Sequence, residues 1–135
     1  MPYEILKHTA DVRLKVEGET LERLFSDALK GMMKILKTDI PAGRPGVKRQ
    51  VSVNAPDKTA LLVDFLNEIL SLSQINKEIY PVIAFDELSE TSLKGNLEGV
   101  GVDEFDEDIK AVTYHEAEVK MNNGGKWETM LVFDI

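Results

Sequence analysis

The residues of this 135-residue chain that could do chemistry offer oxygen ligands rather than nucleophiles. Its last stretch, Trp127-Glu-Thr-Met-Leu-Val-Phe-Asp-Ile135, is apolar almost throughout, then places Asp134 one residue before the α-carboxylate of Ile135. A run apolar on both faces reads as a strand buried inside a sheet. Two negative charges at its end therefore need a cation, backbone donors or water. Other polar residues in awkward places are His8, Thr9, Asp11, Lys110, Thr113 and His115. His8 and Asp11 point to opposite faces of a regular strand and converge only if the chain kinks near Thr9-Ala10.

Four of these have an ordinary alternative. His8 suits a hydrogen-bonded turn, and Asp11 suits a turn acid. Lys110 can pair at the surface with Asp106 or Asp108. His115 shares parity with Ala117, Val119 and Met121, which suits a buried neutral histidine donating to a carbonyl. With no cysteine, no G-x-S-x-G, no phosphate loop and no zinc spacing, carboxylate chemistry remains, suited to calcium, magnesium or manganese. Asp134 and the terminal carboxylate make a cation site if a third acid reaches them.

The elements that must position these residues follow from periodicity. Residues 3–17 read as two strands broken at His8-Thr-Ala-Asp11, with Val12, Leu14 and Val16 alternating against Arg13, Lys15 and Glu17. Thr20 caps a helix whose apolar face runs from Leu21 through Leu24, Phe25, Ala28, Leu29 and Met32 to Leu36, and which stops near Thr38. Its two methionines read as core filler. Val47, Val51 and Val53 suggest a strand. Asp57 caps a second helix, with Leu61, Leu62, Phe65, Leu66, Ile69 and Leu70 on one face and Asp64, Asn67 and Glu68 opposite. Two strands follow, in Tyr80–Phe85 and Thr91–Gly101, where Gly95, Gly99 and Gly101 suggest bulges or close backbone approach. An acidic loop spans Asp103–Asp108. Ala117, Val119 and Met121 then form one arm of a closing hairpin, turned by Asn122-Asn-Gly-Gly125. The expected fold is α+β: a two-layer domain over residues 1–135, with two main helices on a mixed, largely antiparallel sheet.

Bulk composition sets outer bounds. No apolar run approaches a membrane span, the N-terminus lacks a signal-peptide pattern, and the missing cysteines suit a cytoplasmic protein. A net charge of −8 argues against direct nucleic-acid binding and suits a protein partner or divalent cations.

His8-Thr-Ala-Asp11 after an N-terminal strand, Leu61-Leu-Val-Asp-Phe-Leu-Asn-Glu-Ile-Leu70, Ile109-Lys-Ala-Val-Thr-Tyr-His115 and the closing Val-Phe-Asp-Ile135 together resemble the archease family, in order and across the whole chain. The resemblance implies a small cytoplasmic α+β protein, itself no enzyme, that assists tRNA splicing. It would activate a GTP-dependent, manganese-using RNA ligase by promoting guanylylation and multiple turnover, and widen its nucleotide choice. A chaperone-like modulator of nucleic-acid-processing proteins is the family's other role. The resemblance further implies that Asp11, Asp134 and the Ile135 carboxylate gather around a divalent metal, calcium first, with manganese or magnesium as alternatives. Asp11, Lys110 and Asp134 would act in ligase activation, with His8 and His115 as supports behind the ligands. Two positions depart from the family pattern. Arg13 stands where many members carry glycine, and competes with metal if it points inward. The loop at Asp103–Asp108 lacks the histidine that family members often carry just before the Ile109–His115 motif. The competing readings are a metal-dependent hydrolase, with Asp11 and Asp134 as ligands and His8 or His115 as base, and a plain binding module.

Overall fold

In the computed structural model, which describes residues 2–7 and 10–135, the two ends of the chain build one sheet and its middle builds another. The first sheet runs β1 (Tyr3–Lys7), β2 (Asp11–Gly18), β8 (Trp127–Asp134), β6 (Ala111–Thr113), and the short β7 (Lys120–Met121) also pairs with β8. The second runs β3 (Gly46–Asn54), β5 (Ser92–Gly101), β4 (Glu78–Leu88). Helices α1 (Leu21–Leu36) and α2 (Lys58–Asn76) each touch strands of both sheets. The α+β class is the one expected, with the strands divided between two sheets and every described pairing antiparallel. β8 is flanked on both sides, as its apolar sequence requires.

Local chemistry sets the element ends. Thr20 Oγ1 accepts the Arg23 N–H at 3.1 Å to start α1, and Asp57 Oδ1 accepts the Ala60 N–H at 2.8 Å to start α2. The acidic loop has a structural task at the far end of α1. Asp106 accepts the Thr38 N–H at 2.7 Å, and its own N–H donates to the Leu36 carbonyl at 2.7 Å. The Thr38 N–H first, then the nearby Lys37 ammonium, hold the Asp106 carboxyl below its ordinary range. In α1, Gly31 faces β2 so closely that a Cβ would lie 2.6 Å from a Leu14 methyl. Gly99 lets β5 pass the irregular stretch of β4 between Ile79 and Val82, where a Cβ would meet the Ile79 carbonyl at 1.7 Å. The close approach expected among Gly95, Gly99 and Gly101 is present at Gly99 and, less tightly, at Gly95, where a Cβ would lie 3.2 Å from the Ala84 carbonyl oxygen.

The same irregularity turns the Tyr80 N–H toward α1, where Met33 Sδ accepts it at 3.2 Å. One methionine read as filler thus satisfies a buried donor. Beside it, Arg49 grips the buried Glu78 with two bonds, 2.9 and 3.1 Å, and Tyr80 donates to the same carboxylate at 2.6 Å. The guanidinium holds Glu78 below its usual value, while burial, then the carboxylate, pushes the Tyr80 phenol up to about 12. Stability linked to Tyr80 is therefore complete below about pH 10, the ordinary tyrosine value, and is lost as pH rises toward about 12. Glu78 acts at the other end: its contribution is present above the ordinary glutamate range and lost as pH falls through its lowered value. Glu78→Gln should cost about 2 kcal/mol in urea unfolding at neutral pH. That penalty should shrink on acidification, as the wild-type carboxylate itself protonates.

Candidate functional site

Antiparallel pairing of β2 with β8 puts Asp11 directly opposite Asp134. The Ile135 N–H donates to the Ala10 carbonyl at 3.4 Å just beyond them. That bond makes Asp11 and Asp134 a non-hydrogen-bonded pair, the arrangement in which facing side chains come closest. Core residues Val12 and Phe133 alternate with them, so both acids lie on the face turned away from the core. Like charges directly opposite destabilise a sheet. At ~5 Å the repulsion is about 1 kcal/mol in water and about 3 kcal/mol at an effective dielectric of 20.

On its other side Asp134 faces Ala111 of β6, and the Lys110 N–H donates to the Asp134 carbonyl at 2.7 Å. Asp11, Lys110 and Asp134, far apart in sequence, thus meet at one end of β8. The Lys110 side chain is exposed, and Asp106 is committed to Thr38 and Lys37 rather than to it. Arg13 lies beside the pair. Its Nη1 is 2.6 Å from Glu116 Oε2, and its Nε is 4.0 Å from Asp11 Oδ1. That Asp11 oxygen and that nitrogen are buried without a hydrogen-bond partner.

The described residues contain no group of three or more His, Asp or Glu side chains able to hold a metal ion. The fold brings together two side-chain carboxylates, Asp11 and Asp134, so any further oxygen ligand comes from outside this pair. The donor set is all oxygen and includes an orphaned acceptor, a combination that fits a hard divalent cation. His8 lies outside the described residues.

His115 does not face the core as parity suggested. It is exposed, and its backbone N–H donates to Thr113 Oγ1 at 3.3 Å. The expected hairpin arm is also shorter, since only Lys120 and Met121 pair with β8 there. Ahead of them a turn closes from the Ala117 N–H to the Tyr114 carbonyl at 3.1 Å, with Glu116 at φ 62°. Hydroxyls replace the ladder: Thr129 Oγ1 accepts the Glu118 N–H at 3.2 Å, and Thr59 Oγ1 accepts the Val119 N–H at 3.0 Å.

The 109–114 stretch is carried by α2. Asn67 bonds both the Val112 N–H, at 2.9 Å, and its carbonyl, at 2.8 Å, as another strand would. Gln74 donates to the Ile109 carbonyl at 2.7 Å, and the Tyr114 hydroxyl donates to Asp64, which raises the phenol's pKa. Asp64, Asn67 and Gln74 recur at helical spacing, so a polar stripe in a largely apolar helix was a readable sign that the helix carries another segment. A groove of about 490 Å³ on the second sheet, lined by Lys48, Gln50, Val82, Ala84, Asn96 and Glu98 among others, contains none of the expected site residues.

A model of the Archease protein family (MTH1598/TM1083) matches residues 3–135. Protein archease of Methanosarcina mazei is 32% identical, covering 98% of this chain and 95% of its own. Protein archease of Methanopyrus kandleri is 30% identical over 100% of both. Among solved structures, Methanobacterium thermoautotrophicum protein 1598 aligns with a TM-score of 0.73 at 22% identity, covering 99% of each chain. An archease of Thermotoga maritima, described as a possible chaperone, aligns at 0.68 with 18% identity, covering 98% of this chain and 96% of that one.

The α2 stripe is open to a direct check. Asn67→Ala leaves two backbone groups of Val112 unpaired and should cost about 1–3 kcal/mol. Amide exchange should accelerate at Val112 while β3 and β5 keep their protection.

Proposed function

Because the chain belongs to the archease family, we propose that it is a non-enzymatic activator of an RNA ligase, promoting that ligase's guanylylation and repeated turnover in tRNA splicing and widening its nucleotide choice. The reading rests on the register at the end of β8, where Asp11 opposes Asp134 and Lys110 is bonded to the Asp134 backbone. Asp11, Asp134 and the Ile135 α-carboxylate hold a divalent cation, calcium first, with manganese or magnesium as alternatives. Bound there, the cation neutralises the opposed carboxylates. Lys110, exposed beside them, presents its ammonium group to the ligase. The net charge of −8 favours a protein partner over a phosphate backbone, and none of the described helices is long and apolar enough to cross a membrane.

A chaperone-like role is the second reading, favoured by the description of the Thermotoga maritima structure as a possible chaperone. A hydrolase finds less support, since His115 is exposed and its backbone is bonded within its own turn. Ligase guanylylation measured with wild type, Asp11→Asn, Asp134→Asn and Lys110→Met separates these. Wild type should accelerate it, and each variant should lose at least about tenfold. Full activity in Asp11→Asn and Asp134→Asn would sink the mechanism.

A further inference from the structure

One cation is already built into the acid pair. Arg13 follows Asp11 by two residues in β2 and shares its face. Its guanidinium is divided between two carboxylates: a close ion pair with Glu116 at 2.6 Å, and a longer one with Asp11 at 4.0 Å. Both atoms of the longer contact are otherwise unpartnered. Glu116 reaches Arg13 from a turn with left-handed backbone at φ 62°, a conformation that disfavours a glutamate. The start of that turn is fixed on α2 by the Tyr114–Asp64 bond. A strained turn thus presents its acid to an arginine beside the pair.

We infer that Arg13 is an internal counter-cation competing with a divalent ion for Asp11, and that Glu116 sets the balance by drawing the guanidinium away. Without a divalent ion, a small rotation brings Nε onto Asp11 Oδ1 and offsets part of its repulsion from Asp134. When a cation takes the pair, Glu116 keeps Arg13 and the positive charges stay apart. The inference rests on the cation site proposed above, and names the residues that set its affinity in this chain.

Calcium titration calorimetry on the full chain at low salt tests it. Arg13→Met should tighten binding about tenfold, the size of one unit charge acting on a divalent ion about 6 Å away in water. Arg13→Lys should stay near wild type. Glu116→Gln should weaken binding several-fold, but have much less effect in the Arg13→Met background. Charge effects alone are additive, so a non-zero interaction term reports movement of the guanidinium. Unchanged or weaker binding in folded Arg13→Met, with Asp134→Asn still abolishing binding, overturns the competition and leaves the site standing. Equal effects of Glu116→Gln in both backgrounds overturn the role of Glu116. If neither wild type nor Arg13→Met binds calcium or manganese, the site and the inference fall together.

Discussion

Two carboxylates facing each other across a non-hydrogen-bonded strand pair are an unfavourable arrangement, and much of the surrounding structure bears on it. The pairing of β2 with β8 cannot slip to relieve it. A one-residue shift would turn either Val12, Leu14 and Val16 of β2 or Leu131 and Phe133 of β8 out of the core. Burying those side chains is worth about 1.5–3 kcal/mol each, well above the repulsion between the two acids. The core therefore fixes the register, and the register forces Asp11 against Asp134.

What surrounds the pair follows from the same constraint. β8 receives β2 on one edge, and β6 and β7 on the other. β6 is too short to hold its place by ladder bonds alone, and Asn67 completes it as a side-chain substitute for a neighbouring strand. Lys110 is thereby fixed beside Asp134 by α2, whose polar stripe bonds to Ile109, Val112 and Tyr114. Arg13 and Glu116 add a charge pair whose geometry leaves one carboxylate oxygen unsatisfied. A rigid core thus carries an under-neutralised acidic tip, suited to a cation or to a basic partner.

Much of this was legible in the sequence because it is written in short-range pattern. The alternation of Val12, Leu14 and Val16, the caps Thr20 and Asp57, and the apolar β8 all depend on neighbours a few residues away. The resemblance placed Asp11, Lys110 and Asp134 together, and the strand register now supplies a physical reason for their meeting. Long-range facts were not legible. The division into two sheets depends on β3, β5 and β4 choosing one another. His115 lost its inward direction because Glu116 takes a left-handed backbone and breaks the strand there. Asn67 read as a solvated face, although its spacing with Asp64 and Gln74 carried the signal. Met33 satisfies a donor exposed by an irregularity in β4, which no local pattern announces.

The central claim is that Asp11 and Asp134 repel each other until a cation joins them, and melting in two buffers tests it most directly. Wild type and Asp134→Asn are compared in chelator and in excess calcium. The account predicts a crossing. The variant should be more stable in chelator by about 1 kcal/mol, through relief of the repulsion. It should also miss the increment that calcium gives wild type, about 2.7 kcal/mol at a hundredfold excess over the dissociation constant. A variant no more stable than wild type in chelator, and gaining as much from calcium, would contradict it.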